Sequence, residues 1–201
     1  MKTVQLYLIR HGKTAGNLEG RYVGTTDEPL CETGRNLIRQ YVEAGLYPSV
    51  QAVFTSPMKR CRQTAAKIYP CENAQIITEF AETDFGVFEY KNYEELNGNP
   101  VYQQWIDSNG TMEIPGAESS EAFVKRLRGG FKKMMDACAA QKAETVSCVV
   151  HGGVIMKLMQ MYGLPEKEYY YWQVKNGCGL AAEVEMQNED FIIRFRDWIC
   201  P

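Results

Sequence analysis

The apolar run Leu6-Tyr7-Leu8-Ile9 stops abruptly at Arg10-His11-Gly12, and the same pattern returns where Thr145–Val150 stops at His151-Gly152-Gly153. Short apolar runs bounded by glycine read as buried strands. The first strand spans 4–10, and the next twenty residues, with Gly12, Gly16, Gly20, Gly24 and Pro29, read as a loop. A helix follows Thr33, its proposed cap, with Leu37, Ile38, Tyr41 and Val42 on one face and Gly45 at its end. A second strand over 50–54 leads into Ser56-Pro57, read as N-cap and first helical position, and Met58, Cys61, Ala65 and Ile68 then recur at helical spacing. Gln75 to Ala81 reads as a third strand with Glu82 and Asp84 at its end.

Between 86 and 116 the chain is polar, aromatic and broken by Gly98, Pro100 and Gly110, with short helical pieces at 93–96 and 101–106. It reads as an excursion covering the active site, with Tyr93, Tyr102 and Trp105 assigned to local packing. A serine-capped helix then shows Phe123, Leu127, Phe131, Met134 and Cys138 at spacings of three and four. The helix after His151 carries Val154, Ile155, Leu158 and Met159 and closes at Gly163 and Pro165, and strands are expected at 180–186 and 191–195. Strands alternating with helices predict an α/β fold, a three-layer α/β/α arrangement with a mostly parallel central sheet, as one domain over 1–201.

In an open α/β sheet ligands bind at the carboxyl ends of strands. Four such ends deliver Arg10-His11, Arg60, Glu82 and His151 to one edge. The 201 residues are 45% hydrophobic and 23% charged with a net charge of −3. That balance argues against a nucleic-acid or anionic-membrane partner, so an anionic ligand must meet a local basic cluster. No apolar run reaches the length of a membrane span and no signal-peptide pattern opens the chain, so a cytoplasmic protein is expected. The seven cysteines (Cys31, Cys61, Cys71, Cys138, Cys148, Cys178, Cys200) form no CxxC pair and read as small buried hydrophobes. With two histidines and no Cys/His cluster, neither a metal nor another cofactor is expected. The late strands leave pairing between chains open.

Arginines and histidines around one point suit a dianionic phosphoryl group, which guanidinium forks bind bidentately. A neutral imidazole beside cationic arginines keeps its lone pair, which makes His11 the nucleophile. A leaving alkoxide needs a proton, and Glu82 is the candidate donor. His151 would then hold an equatorial phosphoryl oxygen, with Arg10, Arg60 and Asn17 on the others.

Arg10-His11-Gly12, Ser56-Pro57 followed by Arg60, Glu82 before Asp84-Phe85-Gly86, and His151-Gly152-Gly153 together resemble the histidine phosphatase superfamily, also called phosphoglycerate mutase-like, over nearly the whole chain. Asn17, Arg21 and Gly24, Thr33-Gly34-Arg35, Pro115-Gly116, Glu118-Ser119 and Arg126 agree with it. The resemblance implies a phosphohistidine at His11, Glu82 as proton donor, a pocket of Arg10, Arg60 and His151, and no metal. Asn17, Arg21, Gly24 and Gly152 are expected to bind substrate. Lys13 departs from the family's usual glutamate or glutamine, and an added cation at the mouth would favour a more anionic substrate.

The short 92–115 segment, nearly free of arginine and lysine, favours a phosphatase over a mutase, which tends to carry a longer, more basic insertion there. The expected activity is hydrolysis of a small phosphomonoester, with α-ribazole phosphate as one candidate because residues 21–30 look like those of compact bacterial phosphatases. A phosphoglycerate mutase is the alternative, and a non-catalytic phospho-ligand binding module is a third reading.

Overall fold

Four parallel strands carry the active edge, and an antiparallel hairpin extends the sheet on the other side. The computed structural model describes residues 3–70, 73–187 and 190–200. In chain order these form β1 (Val4–Arg10), α1 (Ala15–Leu18), α2 (Glu32–Glu43), β2 (Ala52–Thr55), α3 (Lys59–Ile68), β3 (Gln75–Ile76), α4 (Tyr93–Leu96), α5 (Pro100–Asp107), α6 (Ser120–Gln141), β4 (Thr145–Val150), α7 (Gly152–Tyr162), β5 (Gly163–Leu164), β6 (Gly179–Gln187) and β7 (Asp190–Ile199). The strands lie in the order β3-β2-β4-β1-β6-β7-β5. β1, β2 and β3 each join a parallel ladder, with Leu8 and Phe54 both opposite Cys148 of β4, whereas β6 runs antiparallel to β1 and to β7.

Alternating side chains of the central strands enter two separate cores, as expected of strands covered on both faces. On one face Leu6, Leu8, Phe54, Val146 and Cys148 pack with Phe123, Leu127 and Phe131 of α6 and Val154, Ile155 and Leu158 of α7. On the other face Ile9, Val53 and Val149 meet Ile38 of α2 and Cys61, Ala65 and Ile68 of α3. The mostly parallel sheet between helical layers agrees with the sequence reading. The late strands pair with each other and with β1 inside the chain.

Several local expectations are corrected. α2 starts earlier than proposed, and its cap is Cys31, whose Sγ accepts the Gly34 N–H at 3.4 Å, while Thr33 falls inside the first turn. Of its predicted apolar stripe only Ile38 is fully buried and Val42 is 39% exposed, because α2 lies at the rim of the smaller core. α3 begins at Lys59 after an extended Met58, so Ser56 and Pro57 precede the helix. The third strand is only Gln75–Ile76, since the chain then tightens into a 3-10 turn over Thr78–Phe80 that drops Phe80 into the larger core. The first loop carries the single-turn helix α1, capped reciprocally by Thr14 and Asn17.

Among the described residues no helix is long and apolar enough to cross a membrane. Cys31, Cys61, Cys138, Cys148, Cys178 and Cys200 carry free thiols; Cys71 lies outside the described residues.

Candidate active site

Arg10 and His11 stand at the carboxyl end of β1 because both neighbours pin the backbone there. The Arg10 N–H donates to Cys178 O at 2.8 Å and the His11 N–H to Val150 O at 3.0 Å. The His11 Nδ1 lies 2.7 Å from Gly12 O. A carbonyl can only accept, so Nδ1 carries the hydrogen and Nε2 holds the lone pair. Burial, reinforced by the charges of Arg60 and Arg10, holds the His11 pKa well below its ordinary value. The ring is therefore neutral at neutral pH, with one defined tautomer.

The Arg10 Nη1 donates to Val174 O at 2.8 Å, while its buried Nε has no hydrogen-bond partner. A buried guanidinium N–H left unpaired beside a cavity is a donor waiting for an anion.

Glu82 reaches the same place from the loop after Phe80. Its Oε1 accepts the Thr83 N–H at 3.0 Å and its Oε2 the Gly153 N–H at 3.0 Å, at the start of α7. Burial nevertheless raises its pKa above the ordinary carboxylate value, outweighing those two bonds and the charges of Arg60 and Arg10. A clamp from α6 fixes the loop: Arg126 donates to Glu79 O and Ala81 O at 2.7 Å and to Glu82 O at 3.1 Å, and pairs with Glu118 at 2.6 Å. The secondary sequence marks Glu118 and Arg126 thus fix the loop that carries Glu82.

His151 ends β4 and stands edge-on to His11, with ring centroids 5.2 Å apart. Arg60 Nε donates to its Nδ1 at 3.3 Å, which leaves the proton on Nε2, 2.7 Å from Ser56 Oγ. Burial and the Arg60 charge hold this imidazole neutral as well. Arg60 itself is fully buried, and its remaining donors go to Thr26 O at 2.7 Å, Gly24 O at 2.9 Å and Val23 O at 3.3 Å.

A cavity of about 770 Å³ opens above this cluster, with Arg10, His11, Glu82, Gly152 and Gly153 at its polar end and Asn17 in its wall. Arg60 and His151 do not line it; both side chains are fully buried just beneath. A buried guanidinium must satisfy its donors, and the carbonyls of the 23–26 turn do so here, leaving Arg60 to act on both histidines through its charge. Gly24 lies outside that lining, where its carbonyl accepts from Arg60 and its N–H donates to Glu89 at 3.0 Å. Arg21 lines the cavity, but it is paired with Glu19 at 2.6 Å and Glu95 at 2.7 Å, tying the first loop to α4 rather than offering a free cation. Lys13 is not among the lining residues. Of the aromatics assigned to packing, Tyr102 keeps that role, stacked on Trp105, whereas Trp105 lines the cavity.

Three residues escaped the sequence reading. Ser56 reads as a helix cap in the sequence, yet its hydroxyl bonds the His151 Nε2. Asn176 donates to His11 O and to Asn17 Oδ1, both at 3.1 Å. Glu89 accepts from Thr26 N–H at 2.9 Å and Thr26 Oγ at 2.7 Å besides Gly24, so it braces the turn that holds Arg60. Glu89 and Asn176 carry no local signal, because their partners are distant in the chain.

A family model described as the histidine phosphatase superfamily (branch 1) matches residues 6–196. The adenosylcobalamin/α-ribazole phosphatase of Escherichia coli K12 is 25% identical over 189 residues, 92% of this chain and 92% of that protein. A "Probable phosphoglycerate mutase GpmB" of Photorhabdus laumondii is 29% identical over 199 residues, 94% of this chain and 88% of that protein. The crystal structure of the α-ribazole phosphatase from Shigella flexneri superposes with a TM-score of 0.74 at 23% identity, covering 96% of this chain and 95% of that one, a likeness of fold.

Proposed function

This chain belongs to the histidine phosphatase superfamily, and from that premise we propose that it is a metal-independent phosphomonoesterase working through a phosphohistidine on His11. One observation carries the reading: the His11 proton is held on Nδ1 by Gly12 O, which leaves Nε2 as the lone pair of a neutral imidazole lining the cavity. Nε2 attacks phosphorus and forms the N–P bond as the ester P–O bond breaks. Glu82, whose pKa burial raises, gives its proton to the departing alkoxide when it is in its protonated form. Water then attacks the phosphohistidine and returns its proton to Glu82, releasing phosphate and regenerating both groups. The unpaired Arg10 Nε–H supports charge on the phosphoryl oxygens throughout.

Water is favoured as acceptor over a bound glycerate by the charges of the cavity. Beyond Arg10 its lining cations are Lys157 and the doubly paired Arg21, too few for a second phosphate and a carboxylate. Among the described residues no three His, Cys, Asp or Glu side chains gather as metal ligands. The reading treats 1–201 as one catalytic unit, its 86–116 excursion forming the outer wall, in the cytoplasm where free thiols persist. α-Ribazole phosphate is a candidate ester because relatives carry that activity in their names.

The test is phosphate release, with chelator present, from α-ribazole phosphate, sugar phosphates and 3-phosphoglycerate, with acid-labile label trapped on the protein. His11→Ala should abolish both release and label, and unchanged turnover in that variant would sink the proposal. Isomerisation of 3-phosphoglycerate faster than phosphate release, dependent on a bisphosphoglycerate primer, would establish the mutase instead.

A further inference from the structure

The cavity is far larger than a phosphoryl group, so most of it serves the alcohol that leaves. We propose that this alcohol carries a flat aromatic ring and no second anionic group, and that Trp105 is the residue that selects it. The inference rests on the phosphomonoesterase reading and adds the class of substrate.

Trp105, Tyr22, Phe85 and Tyr170 line the outer cavity and come from separate stretches of the chain. Trp105 is set in place before any ligand arrives. It is stacked on Tyr102 at 6.0 Å and 24°, and stands edge-on to Tyr22 at 5.6 Å and 89° and near Phe88 at 5.9 Å. The hydroxyls of Tyr22 and Tyr102 meet at 3.0 Å, which fixes the two supporting rings against each other. A rigid aromatic wall loses little conformational freedom on binding, and that is where stacking is strongest. The rim is equally close: a Cβ on Gly110, itself at φ +75°, would stand 2.6 Å from Tyr170 Oη and 3.4 Å from the Trp105 ring. The 109–112 stretch therefore passes tightly between Trp105 and Tyr170.

Charge decides what the ring can carry. Asp84 and Glu113 also line the cavity, and Glu118 there is matched by Arg126. Of the two outer cations, Arg21 is matched by Glu19 and Glu95, and Lys157 Nζ donates to Gln160 at 2.9 Å while lying 5.0 Å from the Tyr169 ring centre. With Arg10 engaged by the phosphoryl group, a carboxylate or second phosphate on the leaving group would meet two acids, Asp84 and Glu113, against one outer cation without an acidic partner among the described residues, Lys157.

The experiment compares kcat/KM for adenosine 5′-monophosphate and ribose 5-phosphate, which share a primary leaving alcohol and differ in the ring, with 3-phosphoglycerate as the anionic control. The nucleotide should be favoured about tenfold or more, the size of one good stacking contact, with 3-phosphoglycerate below both. Trp105→Ala should collapse that ratio and Trp105→Phe should retain most of it, so a general loss of folding would not mimic the result. Equal turnover of the two esters, or a ratio indifferent to Trp105→Ala, overturns the inference while leaving the phosphatase reading standing. Release from none of the esters overturns that reading, and this inference with it.

Discussion

The Glu82 carboxylate and the Gly153 backbone form a matched pair: the N–H donates to Oε2 at 3.0 Å, and a Cβ at 153 would stand 2.5 Å from Oε1. Gly153→Ala must therefore displace the proton donor. The expected cost is about 10–100-fold in kcat/KM for an alkyl ester, since misplacing a catalytic group by an ångström is worth that much. An aryl ester such as p-nitrophenyl phosphate, whose leaving group needs little help from an acid, should lose much less. Equal losses on both esters would show that Glu82 is not the group affected.

The pH profile follows from the directions of two shifts. Turnover needs His11 neutral and Glu82 protonated. The His11 pKa is lowered well below the ordinary histidine value and that of Glu82 is raised above the ordinary carboxylate value, so kcat/KM should follow a bell with its acid limb set by His11 and its alkaline limb by Glu82. It should fall as rising pH deprotonates Glu82 and, at the other end, as acid protonates His11. Glu82→Gln removes the alkaline limb along with most of the rate; persistence of that limb in the variant would assign it to another group.

Ser56→Ala deprives the buried His151 Nε2–H of its oxygen acceptor and leaves it the weaker Cys61 Sγ at 3.4 Å. Exchanging a strong buried hydrogen bond for a weak one costs about 1 kcal/mol, which a shifted urea midpoint would report. Turnover should fall together with stability, and Ser56→Thr, which restores a hydroxyl, should recover part of both.

Glu89→Ala frees the 23–26 turn and so loosens Arg60. Stability should fall by about 2–3 kcal/mol, because the Gly24 and Thr26 N–H groups lose their acceptor. As the Arg60 charge withdraws, the His11 pKa should rise, moving the acid limb of kcat/KM upward. Glu89→Gln keeps one acceptor oxygen and should show a smaller shift. A stability loss with an unmoved acid limb would confine Glu89 to a scaffolding role.

Much of this protein was legible in one dimension. Leu6–Ile9 and Val146–Val150 announce their strands because a strand buried on both faces has to be apolar at nearly every position. The α6 stripe from Phe123 to Cys138 did the same at helical spacing. The alternation of these elements set the α/β class, and their carboxyl ends pointed to Arg10, His11, Glu82 and His151. The chain was misleading where a residue type serves several purposes. Ser56 before Pro57 looks like a cap and instead bonds His151; Thr33 looks like a cap and lies inside a turn.

Sequence alone thus determined which elements form and which ionisable side chains gather at one edge, since both depend on local periodicity and residue chemistry. Tertiary structure alone decided which of those side chains face the cavity and which stand behind it. Arg60 turns to the carbonyls of Val23, Gly24 and Thr26, Glu89 braces that turn, and Trp105 reaches the cavity from a segment that reads as packing. The physical reason is that a buried polar group must find partners wherever the fold brings them, and those partners sit tens of residues away in the chain.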